Sequence, residues 1–254
     1  MKPYFEADGV QLYLGDCRDV LPALGLQADV VIADPPYGET SLPWDRWPEG
    51  WPVFMHGVSR QLWCFGSMRM FLGQHADFDG WRFAQDVIWE KQQGSGPAAD
   101  RFQRVHEHVT HWYRGGWADL YRDPQRESGG LPAGLSRRRA AVGHKVNGGH
   151  LHGDKGSTVV GDGTRLVRSV IRVRNLRGAA EHPTEKPAGI LRPLVAYSSP
   201  VGGLVLDPFA GSGSTLAVAR EMGRRAVGIE ADERYCEIAA RRLAAAPLPL
   251  GEAS

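Results

Sequence analysis

The sequence predicts an α/β domain, a β-sheet layered with helices and interrupted by one basic insertion. Three observations carry that prediction. Short β-branched runs alternate with segments of helical periodicity over most of residues 10–120 and 180–243. Two of the runs, "ADVVIADPPYGET" (28–40) and "GGLVLDPFAGSGST" (202–215), stop abruptly at an acid followed by proline. Residues 122–177 drop the alternation for Gly, Ser and Arg, with twelve Lys or Arg against four Asp or Glu.

The elements follow in order. "VQLYL" (10–14) alternates as a short strand and ends at Gly15-Asp16. "CRDVLPAL" (17–24) has helical spacing, and "ADVVIA" (28–33) is the next strand. "PVFMHGVSRQ" (52–61) reads as a helix, "LWCFGS" (62–67) as a strand and "MRMFLGQHA" (68–76) as another helix. "FAQDVIWEK" (83–91) and "HEHVTHWYR" (106–114) both have strand character, with the Gly-rich loop "QQGSGPAAD" between them. In the insertion only "RLVRSVIRVRN" (165–175) regains periodicity, as a strand with arginines at alternating positions. Order returns at "EHPTEKPAGILRPLVAYSS" (181–199), whose second half is an amphipathic helix. Strand, Gly-rich turn, helix, strand, acid and helix then complete the chain, and "PLPLGEAS" (247–254) reads as a frayed tail.

Bulk properties narrow the class. The 254 residues are 42% hydrophobic and 23% charged, ordinary for a globular protein and ample for a core. Net charge of +1 names no partner, but the local excess of eight positive charges in 122–177 suits a polyanion. A solvated loop is the competing reading of that composition. Cys17, Cys64 and Cys236 match neither a disulfide framework nor a zinc-ligand spacing, which fits a reducing, cytoplasmic setting. No run of about 18 apolar residues suggests a membrane span, and the start has no signal-peptide core.

The turn "VLDPFAGSGST" joins an apolar strand to a helix. Gly211 and Gly213 let a ligand approach the backbone, and the helix after them offers unpaired N–H groups to an anion. Glu230 ends the next strand, 17 positions after Gly213, where a carboxylate can accept from both hydroxyls of a ribose. The dinucleotide fingerprint G-x-G-x-x-G is not met, because Ser214, Thr215 and Leu216 follow Gly213. A phosphate loop ending in Gly-Lys-Ser/Thr is absent too.

"DPPY" with "DPFAGSGST" and "GIEADERYCEIAARRL", joined by "GDCRDVLPAL" and "HPTEKP", resembles the S-adenosylmethionine-dependent DNA amino-methyltransferases. Asp34 precedes Asp207 by 173 positions, an order similar to the β group of that family. The resemblance implies a Rossmann-like fold, with a mixed, mostly parallel sheet, helices on both faces and the catalytic segment before the cofactor segment. It implies S-adenosyl-L-methionine as cofactor. Asp207, Phe209, Gly211 and Gly213 would form the floor and turn under its methionine part, and Glu230 would take the ribose hydroxyls. Asp16 would lie near the adenine amine, with Asp34 bordering the cofactor. His182, Thr184 and Lys186 would approach the methionine end, unless that segment is only a charged cap on the following helix.

Methyl transfer to an exocyclic amine requires the nitrogen lone pair to face the methyl group. Asp34 and the backbone carbonyl of Pro35 can accept the amine's N–H groups and free the lone pair from the ring. Pro36 holds residue 35 extended, which aims its carbonyl. Tyr37 can stack on a base flipped from a duplex, returning roughly 1–3 kcal/mol of the unstacking cost. The bland alternative is a turn-capping acid beside a boundary aromatic.

The expected organisation is a catalytic half (1–121), a basic target-recognition insertion (122–178), a cofactor half of the same domain (179–246) and a tail. Double-stranded DNA is the expected partner, with Arg137, Arg138, Arg139, Arg168 and Arg172 as its contacts and a homodimer left open. His144, His150 and His152 lie on a Gly-rich loop and read as solvated rather than metal-binding, so no metal is expected. Trp112, Tyr113 and Trp117 read as packing residues. The expected reaction is methylation of adenine N6, because Asp34 stands where cytosine-N4 members of the family more often carry Ser. Cytosine N4 stays open, as do a catalytically silent binding module and, more remotely, RNA or protein glutamine methylation.

Overall fold

Val30–Ala33 (β3) is a strand of four fully buried residues whose side chains alternate between two cores. Val30 and Ile32 pack with Ile190, Leu194 and Leu216, whereas Val31 and Ala33 pack with Val20, Leu21, Trp51 and Met55. Helices therefore cover both faces of the sheet, and a continuous apolar run is what such a strand needs. A computed structural model of the chain describes residues 1–42, 44–95, 100, 102–138, 158–173 and 185–245. They fall into two units, Met1–Asp123 with Ser169 onward, and Pro124–Arg168.

The first unit opens with β1 (Phe5–Ala7), β2 (Val10–Leu14) and α1 (Cys17–Leu24) before β3. Then come α2 (Trp51–Phe54), β4 (Gln61–Gly66), α3 (Met68–Gly73), β5 (Arg82–Ser95) and β6 (Arg104–Tyr113). The second unit holds β7 (Arg126–Ser128), β8 (Ser136–Arg138), β9 (Thr158–Val160) and β10 (Thr164–Leu166). The first resumes with β11 (Val170–Arg172), α4 (Ala188–Ser198), β12 (Leu204–Asp207), α5 (Ser214–Glu221), β13 (Arg225–Glu230) and α6 (Glu233–Ala244).

Nine strands form one sheet in the order β1-β2-β13-β12-β3-β4-β6-β5-β11. From β2 through β13, β12 and β3 to β4 every pairing is parallel, as is β11 with β5; β1 with β2 and β6 with both its neighbours run antiparallel. The mixed, mostly parallel sheet with helices on both faces is the predicted fold. Its parallel block places the carboxyl ends of β2, β13, β12, β3 and β4 along one edge. After β3 the chain turns toward β4, and after β12 it turns the opposite way, toward β13. The crevice between them is a topological switch point, where open α/β sheets bind ligands.

Several elements differ from expectation. "PVFMHGVSRQ" is helical only from Trp51 to Phe54 and tightens into a 3₁₀ turn at Met55–Gly57. "MRMFLGQHA" likewise ends at Gly73 before a 3₁₀ turn, since glycine weakens a helix it closes. β1 had no sequence signal beyond three residues of pattern. "RLVRSVIRVRN" is not one strand, because two sheets share its backbone. Val167 N donates to Gln125 O beside β10, while Ser169 O accepts from Ile88 N at the start of β11. β11 is thus an edge strand of the main sheet (Ile171 opposite Trp89), and the second unit ends ten residues before the expected boundary at 178.

Trp112 stacks on Phe78 at 4.5 Å and Tyr113 meets Trp117 edge-on at 4.9 Å, packing roles as expected. The three cysteines are free and buried. His144, His150 and His152 lie outside the described residues, among which no cluster could hold a metal. No described helix is long and apolar enough to cross a membrane.

The second unit, taken by itself, holds two two-stranded antiparallel sheets, β7 with β10 and β8 with β9. Two of its arginines are paired within it, Arg126 with Asp162 at 3.4 Å and Arg165 with Glu127 at 2.8 Å.

Leu216, fully buried between α5 and the sheet, tests the core. Leu216→Ala is expected to cost about 2–5 kcal/mol, read as a lower denaturant midpoint at unchanged slope.

Candidate active site

Asp34 is the first residue beyond β3, so its backbone is fixed by the strand while its carboxylate enters the crevice. Both oxygens have donors: the Tyr37 hydroxyl reaches Oδ1 at 2.7 Å, and the Lys186 ammonium reaches Oδ2. Pro36 keeps Pro35 extended between them. Beyond the tyrosine, the buried Asp45 carboxylate accepts from Gly38 N at 2.8 Å, Glu39 N at 3.0 Å and Thr40 N at 2.7 Å. Burial raises the Asp45 carboxyl, but the donors on residues 38–40 outweigh it and hold the group below its ordinary value. The loop after Tyr37 is pinned as a result. Burial and the neighbouring Asp34 carboxylate push the Tyr37 phenol well above 10, so its proton stays available to Asp34.

Lys186 stands between two carboxylates. Besides Asp34 it lies 3.8 Å from Glu107 Oε2, and Glu107 Oε1 is ion-paired with Lys91. Burial alone would lower the Lys186 ammonium, yet Asp34 and Glu107 together raise it above its ordinary value. Burial likewise opposes ionisation of Glu107, and the charges of Lys186 and Lys91 overcome it, leaving the carboxyl below its usual range. Each charge is kept by the next.

The other half of the crevice lies at the ends of β12 and β13. Asp207 accepts from Phe209 N at 3.0 Å, and the Phe209 ring packs edge-on against Trp51 at 5.2 Å. Burial pushes the Asp207 carboxyl up to about 7, against the pull of the Thr215 hydroxyl and the Phe209 N–H. Gly211 (φ 50°) and Gly213 (φ 77°) take left-handed backbone that side chains resist, and Gly213 caps α5. Glu230 Oε2 accepts from Gly211 N and Oε1 from Asp232 N, both at 2.8 Å, which orients its carboxylate over the glycine turn. Asp16 caps α1, accepting from Arg18 N at 2.8 Å and from the Arg18 guanidinium, which holds its carboxyl below the usual range.

One cleft of ≈ 1130 Å³ runs from Asp16 and Glu230 past Asp207, Phe209 and Gly211 to Asp34 and Tyr37; Gly213, expected at the cofactor, is not among its lining residues and packs instead against Ala239 of α6. That volume exceeds the several hundred Å³ typical of a single small ligand and leaves room for two. Of the residues expected at the methionine end, His182 and Thr184 lie outside the described residues. Lys186 is described, and its ammonium binds Asp34. Its neighbour Glu185 pairs with Arg242 at 2.7 Å, and Arg242 donates to Ser214 Oγ at 2.7 Å, tying the 185–186 segment to the glycine turn. Arg172 is exposed and paired with Glu90 at 2.9 Å. The backbones of Arg137 and Arg138 lie in β8, Arg168 is exposed, and Arg139 lies outside the described residues.

The N6/N4 DNA methylase family model matches residues 28–241, most of the chain and both halves of the cleft. The chain belongs to this family. The Type II methyltransferase M.ScaI of Streptomyces caespitosus is 28% identical over 96% of this chain and 84% of its own. M2.DpnII of Streptococcus pneumoniae, another Type II methyltransferase, is 46% identical over 26% of this chain and 25% of its own. Among solved structures, M1.HpyAVI in complex with SAM shares the fold at TM-score 0.61 and 20% identity, covering 92% of this chain and 99% of that one. The cytosine-N4-specific PvuII DNA methyltransferase does so at TM-score 0.62 and 15% identity, covering 97% and 90%. The protein is a DNA methyltransferase with S-adenosylmethionine as its cofactor.

The methylase's own residues fit that cofactor. Glu230 has an oriented carboxylate that would suit hydroxyls, Gly211 is open to a close approach, and acid groups line a cleft that would suit a sulfonium cation. Lys91, Glu107, Asp45, Glu185 and Arg242 escaped the sequence reading. Glu107 and Lys91 did carry a signal: each continues the inward-facing parity of its strand, after Val109 on β6 and after Val87 and Trp89 on β5. A charge at such a position needs a buried partner. Asp45 and Arg242 carry no local pattern at all.

The raised Asp207 carboxyl has a stability consequence. Its folded value near 7 lies above the ordinary 3.8, so the folded methylase holds a proton that the unfolded chain releases. That contribution is complete below pH about 4 and is lost as pH rises through about 7. Thermal melts of the cofactor-free protein from pH 4 to 8 are expected to fall less steeply for Asp207→Asn than for wild type; parallel curves would refute the shift.

Proposed function

We propose that this methylase transfers the methyl group to N6 of an adenine flipped out of double-stranded DNA. The observation that carries the reading is the Asp34 carboxylate, oriented at the end of β3 by Tyr37 and Lys186 and facing the cleft. Each carboxylate oxygen has two lone pairs, so one donor apiece leaves acceptor capacity for the target amine.

When bound, S-adenosylmethionine supplies an electrophilic methyl group on a sulfonium. The chain's residues prepare the nucleophile. Asp34 and the Pro35 carbonyl accept the two N–H groups of the amine and draw its lone pair out of the ring. Holding the amine in line with the methyl group replaces a bimolecular encounter by a positioned one, a large part of such rate enhancements. Asp34 then takes the proton that the methylated amine sheds. The Tyr37 ring stacks on the extruded base while its hydroxyl steadies Asp34.

Choice of adenine is supported by the family resemblance, in which cytosine-N4 members more often carry Ser at the position of Asp34. The fold does not choose, since a cytosine-N4 enzyme shares it. An intact Asp34–Tyr37 corner speaks against a silent binding module. The basic second unit is the region we assign to target recognition, with Arg137, Arg138, Arg139 and Arg168 toward phosphates. Arg172, held by Glu90 on the first unit, is a weaker candidate.

Incubation with unmethylated genomic DNA, then nucleoside digestion and mass analysis, is expected to yield N6-methyladenine. Asp34→Ala should abolish that product while cofactor affinity, measured by calorimetry, stays within a few-fold. A variant with near wild-type transfer removes Asp34 from the mechanism. Separately, charge removal at residues 137–139 is expected to weaken DNA binding and flatten its dependence on salt. An unchanged slope would count against the assignment.

A further inference from the structure

Resting on the adenine-N6 reading, we infer that Lys186 and Glu107 read the pairing edge of the flipped base and make the pocket select adenine over cytosine. Three groups stand in a row in one cleft: Asp34, an acceptor; Lys186, a donor bonded to it; and Glu107, an acceptor 3.8 Å beyond. The row is complementary to a nucleobase edge read from its amine. Adenine offers an amine donor, the ring acceptor N1 and then a C–H. Cytosine offers an amine donor, the ring acceptor N3 and then the carbonyl O2, a second acceptor. The amine meets Asp34 and the ring nitrogen meets the Lys186 ammonium for either base. Only the third position separates them.

At that position Glu107 Oε2 is buried and accepts no hydrogen bond from any described residue. Its partner oxygen is tied to Lys91, so the carboxylate cannot turn away. The Lys186 ammonium lies 5.2 Å from the centre of the Phe65 ring, which confines the donor to its place in the row. A carbonyl oxygen set against an ionised carboxylate, with no proton to share, is repelled. A polarised C–H is accepted. Discrimination arises from a contact that the wrong base cannot satisfy, the stronger of the two routes to specificity. The charge states just described keep Glu107 ionised and Lys186 protonated, as the row requires.

The test needs the modified position first, located by sequencing DNA treated with the wild-type enzyme. Duplexes are then made with adenine, cytosine or 1-deazaadenine there, opposite thymine, and single-turnover methyl transfer is measured for each. For Glu107→Gln, whose amide can donate to O2, the ratio of cytosine to adenine rates is expected to rise at least about tenfold over wild type. The wild type should lose about tenfold or more on 1-deazaadenine, which lacks the ring acceptor. Lys186→Met should be slower on adenine yet nearly insensitive to that replacement, and Lys186→Arg should remain sensitive. Calorimetric cofactor binding by each variant verifies folding. An unmoved cytosine-to-adenine ratio in Glu107→Gln overturns the role of Glu107. Wild-type indifference to 1-deazaadenine, or equal sensitivity in Lys186→Met, overturns that of Lys186. N4-methylcytosine in wild-type digests of genomic DNA overturns the adenine reading itself, a result distinct from either.

Discussion

Val30 and Val31 pair in parallel with Val205 and Leu206, and the chemistry of the molecule follows from where that pairing leaves the next residues. Because the strands run the same way, their acids emerge at the same edge: Asp34 after β3, Asp207 at the end of β12. Because the chain turns away from each in opposite directions, no helix closes the space between them. A cleft forms there without any loop having to build it. β13 and β2 extend the edge, adding Glu230 and Asp16 in register, with Glu230 opposite Leu14. Groups that must be held in close contact for a transfer can be placed on two adjacent parallel strand ends, which lie that near to each other.

Such a site concentrates buried charge. Asp34, Glu107, Lys91 and Lys186 form a cluster of two carboxyl and two amino groups, in which burial alone would neutralise Glu107 and Lys186 and their neighbours keep both charged. Removing one member would leave its partner desolvated and unpaired, a far larger loss than an exposed pair carries. Asp207 behaves differently: burial outweighs the hydrogen bonds from Thr215 and Phe209 and pushes it toward protonation at neutral pH. Two acids at neighbouring strand ends therefore have different surroundings. Asp34 is bonded to the Lys186 ammonium and the Tyr37 hydroxyl, and Asp207 is poised near 7.

Most of the layered order was legible along the chain, because strand and helix periods are local. "VQLYL", "CRDVLPAL" and the strand–turn–helix–strand run after Gly202 appear where their patterns put them. Errors cluster where local signals are weak or shared. The helices after Gly50 and Ser67 shorten into 3₁₀ turns, the second at Gly73, and the Arg-rich run after Thr164 splits because two sheets each take part of its backbone. Along the cleft, the positions of Asp34, Asp207, Gly211 and Glu230 were readable, since each closes a strand or opens a turn. Lys91 and Glu107 show only their inward parity along the strands; their pairing, 16 positions apart, arises once β5 and β6 pair with Trp89 opposite Glu107.

By itself, the sequence determined the fold class, the order of catalytic and cofactor segments, and the acid–proline–proline–tyrosine corner. These depend on residues within a few positions of one another, where sterics and periodicity act without help. Tertiary structure alone decided what faces that corner. It turned Lys186, 152 positions away, onto Asp34, set Glu107 behind it and drew Asp45 under the loop. Those partners are chosen by strand order and burial. A charge can find its counter-charge across the chain only after the sheet has removed both from water.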